Sequence, residues 1–273
     1  MRQSILLCFL GLFTHFSFCQ TDPITQSYGA RSQGMGNLRL FTRDAWTFFN
    51  NVGNLDRLEE SELTAGYDSR FGLKELNTYS LAGAMKSQLG TFGLGVSSFG
   101  DQYFSQQILG FGFSNTLGIV SLGIKLDWFQ TQIEGFGSAH SFLISMGGVA
   151  ELGPKTFLGA NFSNLNQAKY SRNTEQLLPT LIQMGINYLA SENVSLAAEL
   201  EKEVETNPIF RAGLEYKLQH WIFLRAGVST NPSRISFGLG LRKDRFGFDY
   251  AFGENTALGV SHHLSLGLSL GKL

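Results

Sequence analysis

The sequence predicts an all-β fold, a closed antiparallel transmembrane barrel of about fourteen strands with a plug segment in its lumen. Three observations point there. Apolar and polar residues alternate with a period of two from about residue 60 to the C-terminus. The links between alternating stretches are tight on one side and longer on the other. The composition, 32 Gly and 24 Phe against 5 Pro and 2 Cys in 273 residues, suits strands and turns.

Residues 1–19 read as a signal peptide. Arg2 gives a short positive region, Ile5 to Phe13 an apolar one, and Ser17-Phe18-Cys19 a small-x-small cleavage site. A lipid anchor on Cys19 is the alternative, although Phe18 is large for the position before a lipidated cysteine. Both cysteines, Cys8 and Cys19, fall in this stretch, so the mature chain is expected to carry no disulfide framework. No later run of eighteen apolar residues suggests a membrane-spanning helix.

Residues 20–59 form a second unit in which the period of two is lost. In YGARSQGMGNLRLFTRDAWTFFNNVGNL (28–55), Asp44 is placed to cap a short helix. Trp46, Phe49 and Val52 would share one face of that helix. Gly29, Gly34, Gly36 and Gly53 permit tight turns or close backbone approach. So apolar a stretch before a barrel must lie on the membrane surface or in the lumen.

Residues 60–273 are the barrel. Alternation places strand starts near residues 61, 76, 89, 103, 117, 137, 154, 180, 192, 207, 219, 233, 244 and 260. In VSLGIKLDW (120–128), for example, Val120, Leu122, Ile124, Leu126 and Trp128 oppose Ser121, Gly123, Lys125 and Asp127. Tyr188, Tyr216 and Trp221 sit beside short turns and Tyr79, Trp128 and Phe252 beside longer loops, as two interfacial girdles would. A soluble β-sandwich also alternates, but has no reason to alternate turn length. The chain ends LSLGLSLGKL, and a closed barrel lets Leu264, Leu266, Leu268 and Leu270 face lipid while the last strand pairs with the first.

GARSQGMGN followed by DAWTFFNNVGNL resembles the N-terminal signature of FadL-like outer-membrane barrels, closest to the short PorV/PorQ-type members of Bacteroidota. Ala30, Arg31, Gly34, Met35, Gly36, Asp44, Asn50, Gly53 and Leu55 occupy the matching places. Asn51 stands where that family usually has proline, and Asn54 is inserted before Leu55. The resemblance implies a plug inside a fourteen-stranded barrel, with Gly29, Arg31, Gly34, Met35, Gly36, Asp44, Trp46, Phe49, Asn50 and Gly53 as its plug residues. The family includes both hydrophobe channels and secretion accessories.

Catalytic signatures are missing from the sequence: no Gly-x-Ser-x-Gly, His-Glu-x-x-His, phosphate loop or Cys/His cluster occurs. No enzyme activity, metal or cofactor is therefore expected. His262 and His263 are adjacent on a strand and so point to opposite faces. Glu199, Arg211, Glu215, Arg225, Arg234, Arg245 and Asp249 are expected to point inward as a charge network that stiffens the wall and holds the plug. Asp68, Arg70, Lys125 and Asp127 add to it, while few apolar residues, among them Leu143, Phe157 and Phe223, point the same way.

A net charge of −1 gives nucleic acid no purchase. The expected location is the outer membrane of a Gram-negative cell, with lipid as partner and both termini periplasmic. The expected function is a non-catalytic accessory to protein export, type IX secretion-associated in the PorV/PorQ manner, with a protein partner in the outer membrane. The alternative is a FadL-like passive channel whose ligand is a hydrophobic small molecule such as a fatty acid. Inward charge tilts the choice to the first, since unpaired charge beside a hydrocarbon is costly.

Overall fold

The structure, a computed structural model, describes residues 23–171, 174–204, 206–255 and 258–271. The proposed signal peptide lies outside them. Strands β1 (Ser61–Arg70), β2 (Leu73–Ser87), β3 (Gly90–Gly100), β4 (Phe104–Leu117) and β5 (Val120–Ile133) open the meander. β6 (Gly137–Gly153), β7 (Thr156–Ser163), β8 (Leu181–Ser191), β9 (Val194–Glu203) and β10 (Ile209–Gln219) continue it. β11 (Ile222–Ser229), β12 (Arg234–Lys243), β13 (Phe246–Asn255) and β14 (Gly259–Gly271) complete it. Each strand pairs antiparallel with its sequence neighbours, and β14 pairs with β1, with Ala65 opposite Leu266 and Tyr67 opposite Leu264. The barrel is closed.

Alternation locates every strand start to within about three residues, as expected of boundaries read from sequence. The starts of β2, β5 and β11 differ most. β2 begins at Leu73 because Phe71 and Gly72, with φ of 55° and 70°, reverse the chain in two residues. One end of the barrel carries two-residue turns at 88–89, 118–119, 154–155, 192–193, 220–221 and 244–245. The other end carries the two-residue turn 71–72, links of three to five residues, and one substantial loop, 164–180.

Successive side chains point to opposite faces of the wall. Leu94, Phe111, Ile124, Met184, Leu200, Leu224 and Leu266 are exposed on the outside. Such a continuous apolar exterior needs hydrocarbon as its cover. Tyr188, Tyr216 and Trp221 are exposed near the turn end, and Tyr79 and Phe252 near the loop end.

The hydrophobic core lies inside the bore. Before β1 the chain forms two short helices, α1 (Ala30–Gly34) and α2 (Thr47–Asn50), then a 3-10 helix over Val52–Arg57. α1 packs on β11 to β14, α2 on β2 and β3, and the 3-10 helix on β3 to β6, so the segment bridges the barrel. Tyr28, Trp46, Phe48, Phe49, Val52 and Leu55 cluster with Ala82, Ala84, Ile108, Phe129 and Leu143 of the wall.

The expected helix after Asp44 is shorter than its pattern suggests. The regular helix begins at Thr47, but Trp46 already has helical backbone, Thr47 N donates to Asp44 O, and Asp44 Oδ1 accepts the Trp46 amide at 3.2 Å as a cap does. The helix stops because Asn51 adopts extended backbone. Its side chain accepts from Gly53 N and donates to the carbonyls of Leu40 and Gly148, bonds that favour leaving the helix.

Candidate functional site in the lumen

Wall and N-terminal segment meet at glycines, because only a bare backbone allows so close an approach. A Cβ on Gly53 would stand 2.2 Å from the Gly147 carbonyl oxygen, and one on Gly34 would stand 2.9 Å from Gly238 Cα. Gly36, at φ 78°, lies against Val228 and offers its amide to Ser236 Oγ at 2.9 Å. Gly29, at φ 89°, leaves room for the Trp46 indole, and Gly66 of β1 admits the same ring from the wall. Phe48 and Phe49 press on Gly95, and Phe48 and Leu55 on Gly93. Gly267 neighbours Glu62 and Thr64 instead.

Polar side chains fix the segment's own shape. Asn50, fully buried, accepts from Tyr28 N and donates to Tyr28 O, both at 2.8 Å, which clasps the two ends of the segment together. Tyr28 stacks on Phe49 with ring centroids 4.2 Å apart. Burial pushes the Tyr28 hydroxyl up to about 12 and raises the Asp44 carboxyl above the usual carboxylate range. Met35 packs with Leu38 and Ala197 in a smaller cluster.

Charge gathers on the side formed by β8 to β14. Arg31 reaches Glu215 at 2.5 Å, Arg225 joins Glu215 and Asp249 at 2.6 Å each, and Arg242 closes on Asp249 at 2.7 Å. Signs alternate along this chain of five, and it ties α1 to four strands. Glu199 accepts the amides of Arg39 and Leu40, and Glu201 lies between Arg211 at 2.8 Å and Arg39 at 3.7 Å. A third group joins His263 Nδ1 to Asp68 at 2.6 Å and His263 Nε2 to Arg234 at 3.0 Å.

One expected member of the network is misplaced. Arg245 lies in the exposed turn between β12 and β13, beyond the end of the wall, whereas Arg242, which alternation also points inward, pairs with Asp249. A tight turn is legible here, but at Lys243-Asp244, one residue early, which assigned Arg245 to the following strand. His262 and His263 diverge, His262 meeting Tyr250 on the other face.

The side formed by β4 to β6 is different. Ile108, Phe129 and Leu143 are buried on its inner face toward the loop end, against Ile24, Tyr28 and Phe49. The loop 164–180 roofs them, with Leu178 buried and the Tyr170 ring 6.2 Å from Phe129. A narrow cavity there is also edged by Lys125 and Asp127, which pair at 3.1 Å. Lys125 Nζ stands 5.1 Å from the Phe48 ring centre, a cation–π distance. Ile108 and Phe129 went unread as lumen residues, although β4 and β5 alternation supplied their phase.

At the turn end a vestibule of about 530 Å3 opens between Arg43, Arg57, Glu60, Glu62, Glu151 and Arg242. Between it and the apolar patch lie the aromatic rings of the segment.

No family model matches the sequence, and no curated protein does. Solved structures do match in fold. The toluene transporter TbuX of Ralstonia pickettii superposes with a TM-score of 0.71 at 12% identity, over 89% of this chain and 98% of that one. The fold is shared with barrels described as toluene transporters. The P. putida toluene transporter TodX gives 0.64 at 14% identity over 91% and 100% of the two chains. The Acinetobacter baumannii outer membrane protein Omp33 gives 0.52 at 7% over 77% and 98%.

Proposed function

We propose that this chain is a plugged outer-membrane channel for small hydrophobic molecules, with residues 20–59 as its plug and residues 60–273 as its barrel. The observation that carries the reading is the buried apolar patch of Ile108, Phe129 and Leu143 under the 164–180 loop. The cavity there, about 20 Å3, is too small for such a molecule as the chain stands, but once the N-terminal segment shifts an apolar molecule at the loop end would meet aliphatic and aromatic surface, where each Å² removed from water contributes about 25 cal/mol. The neighbouring barrels described as toluene transporters support the same reading.

The preference for an export accessory rested on inward charge lying bare beside a ligand. That premise fails. Arg211, Glu215, Arg225 and Asp249 each have an ionic partner, and the charges that edge the patch are paired too, Lys125 with Asp127 and Arg39 with Glu201. Paired charge costs far less than bare charge in an apolar setting. Passage to the turn end requires the plug to shift, since Trp46, Phe48 and Phe49 fill the bore between the patch and the vestibule.

Crystals grown with 4-bromotoluene test this reading. Bromine anomalous density among Ile108, Phe129 and Leu143 is expected, lost in Leu143→Asp. Density confined to the barrel exterior would refute it.

A further inference from the structure

A second cavity, of about 120 Å3, opens at the loop end on the charged side of the bore. Its lining includes Arg70, Arg211 and Arg234, and among the described residues no carboxylate borders it. Arg211 spends Nη2 on Glu201, but its Nε and Nη1 are buried without partners among the described residues. Arg234 gives Nη2 to His263, and its Nε is likewise without a partner. Ser27 Oγ and Ser261 Oγ are two more buried, unpartnered donors on the same lining. Both residues are more than nine-tenths buried, as is Arg211.

Buried polar atoms normally find partners. Here four residues around one cavity leave donors over, and two of them are guanidinium groups. Guanidinium N–H groups suit oxyanions, because they carry a fixed positive charge and donate within one rigid plane. Gly253 shapes the place, since a Cβ there would stand 2.4 Å from Arg234 Nε, so the guanidinium lies flat on the wall.

The lining also has unpartnered acceptors, Gln33 Oε1 and Asn37 Oδ1. A fully deprotonated anion would leave these unsatisfied. An oxyanion that keeps an O–H group satisfies both kinds of atom. We propose that this cavity binds a small hydroxylated oxyanion of the hydrogen-phosphate type, at the loop-end mouth and apart from the apolar patch. Its volume holds the oxyanion head and excludes a long acyl chain. Free phosphate and the phosphomonoester head of a membrane lipid share this chemistry. The inference is independent of the channel reading, whose ligand is apolar and lies against β4 to β6.

Titration calorimetry of the full detergent-solubilised chain with inorganic phosphate, at constant ionic strength in chloride, tests it. One saturable site is expected, at least tenfold weaker in Arg234→Gln and weaker for sulfate, which lacks the O–H group. Crystals of the wild-type chain with arsenate should show anomalous density between Arg211 and Arg234, which keeps the test valid should the variant misfold. Vesicles of phosphatidic acid that abolish the phosphate heat would identify the lipid head as the source, and vesicles without effect would identify the free ion. No saturable heat with either probe, or arsenate density only elsewhere, would overturn the proposal.

Discussion

Gly53→Ala should unseat the proposed plug segment. The added Cβ would lie 2.2 Å from the Gly147 carbonyl oxygen, 2.3 Å from its carbon and 2.5 Å from Gly148 Cα. All three are backbone atoms of a paired strand and cannot swing aside. An ordinary carbon–oxygen contact is about 3.3 Å, so the segment must retreat by about 1 Å. Overpacking of this kind costs about 1–3 kcal/mol. The retreat also stretches the bonds that Ser114 and Ser121 donate to Gly53 O, now 3.1 and 2.6 Å, each contributing about 1 kcal/mol. A total of about 3–5 kcal/mol would raise the released fraction more than about a hundredfold. Limited trypsin digestion of the solubilised barrel reads this directly, through cleavage after Arg31, Arg43 and Arg57. Cleavage as slow as in the wild type would refute the tight seating of Gly53 on β6.

Trp46→Ala should destabilise the chain by about 3–5 kcal/mol, because the ring fills the space left by Gly29 and Gly66; thermal unfolding in detergent checks it. Arg225→Met should cost about 3–5 kcal/mol, since Glu215 and Asp249 would lose their shared cation in a buried site, and adding Glu215→Gln and Asp249→Asn should recover part of the loss. Asp44 binds its proton more tightly in the folded chain than in the unfolded one, because burial disfavours the carboxylate. Its contribution to stability therefore falls as pH rises from the ordinary carboxylate range through the raised native value, and Asp44→Asn should flatten that slope and be the more stable at neutral pH. Cysteines at Glu175 in the long loop and Glu192 in a tight turn should label differently in intact cells, the first readily and the second poorly; equal labelling would contradict periplasmic turns. Asn173, the other natural choice in that loop, lies outside the described residues.

The barrel was legible because its wall repeats one signal fourteen times, apolar out and small or polar in. Leu264 to Leu270 shows how far that signal reaches, since the stripe fixes both the face and the need for a closing partner. The inward glycines were legible as strand residues but not as a seat, since nothing local says that Gly147 faces Gly53 or Gly238 faces Gly34. Gly267 shows the limit: it shares the phase of Gly93 and Gly95 but neighbours Glu62 and Thr64. Asp44 was legible as a cap because cap patterns are local, whereas the helix end was not, since Asn51 leaves the helix through bonds to Leu40 and Gly148, both distant in sequence. The charges were visible singly, yet their pairing depends on register across β9 to β13, and register is what removes the objection to an apolar ligand.

Uptake of radiolabelled toluene at low external concentration tests the central claim most directly. Gram-negative cells producing the wild-type chain should take it up faster than cells without it, and cells producing Leu143→Asp at equal membrane levels should fall back to the empty-cell rate. Equal uptake by all three would contradict a hydrophobe channel and leave the apolar patch as no more than a seat for the plug.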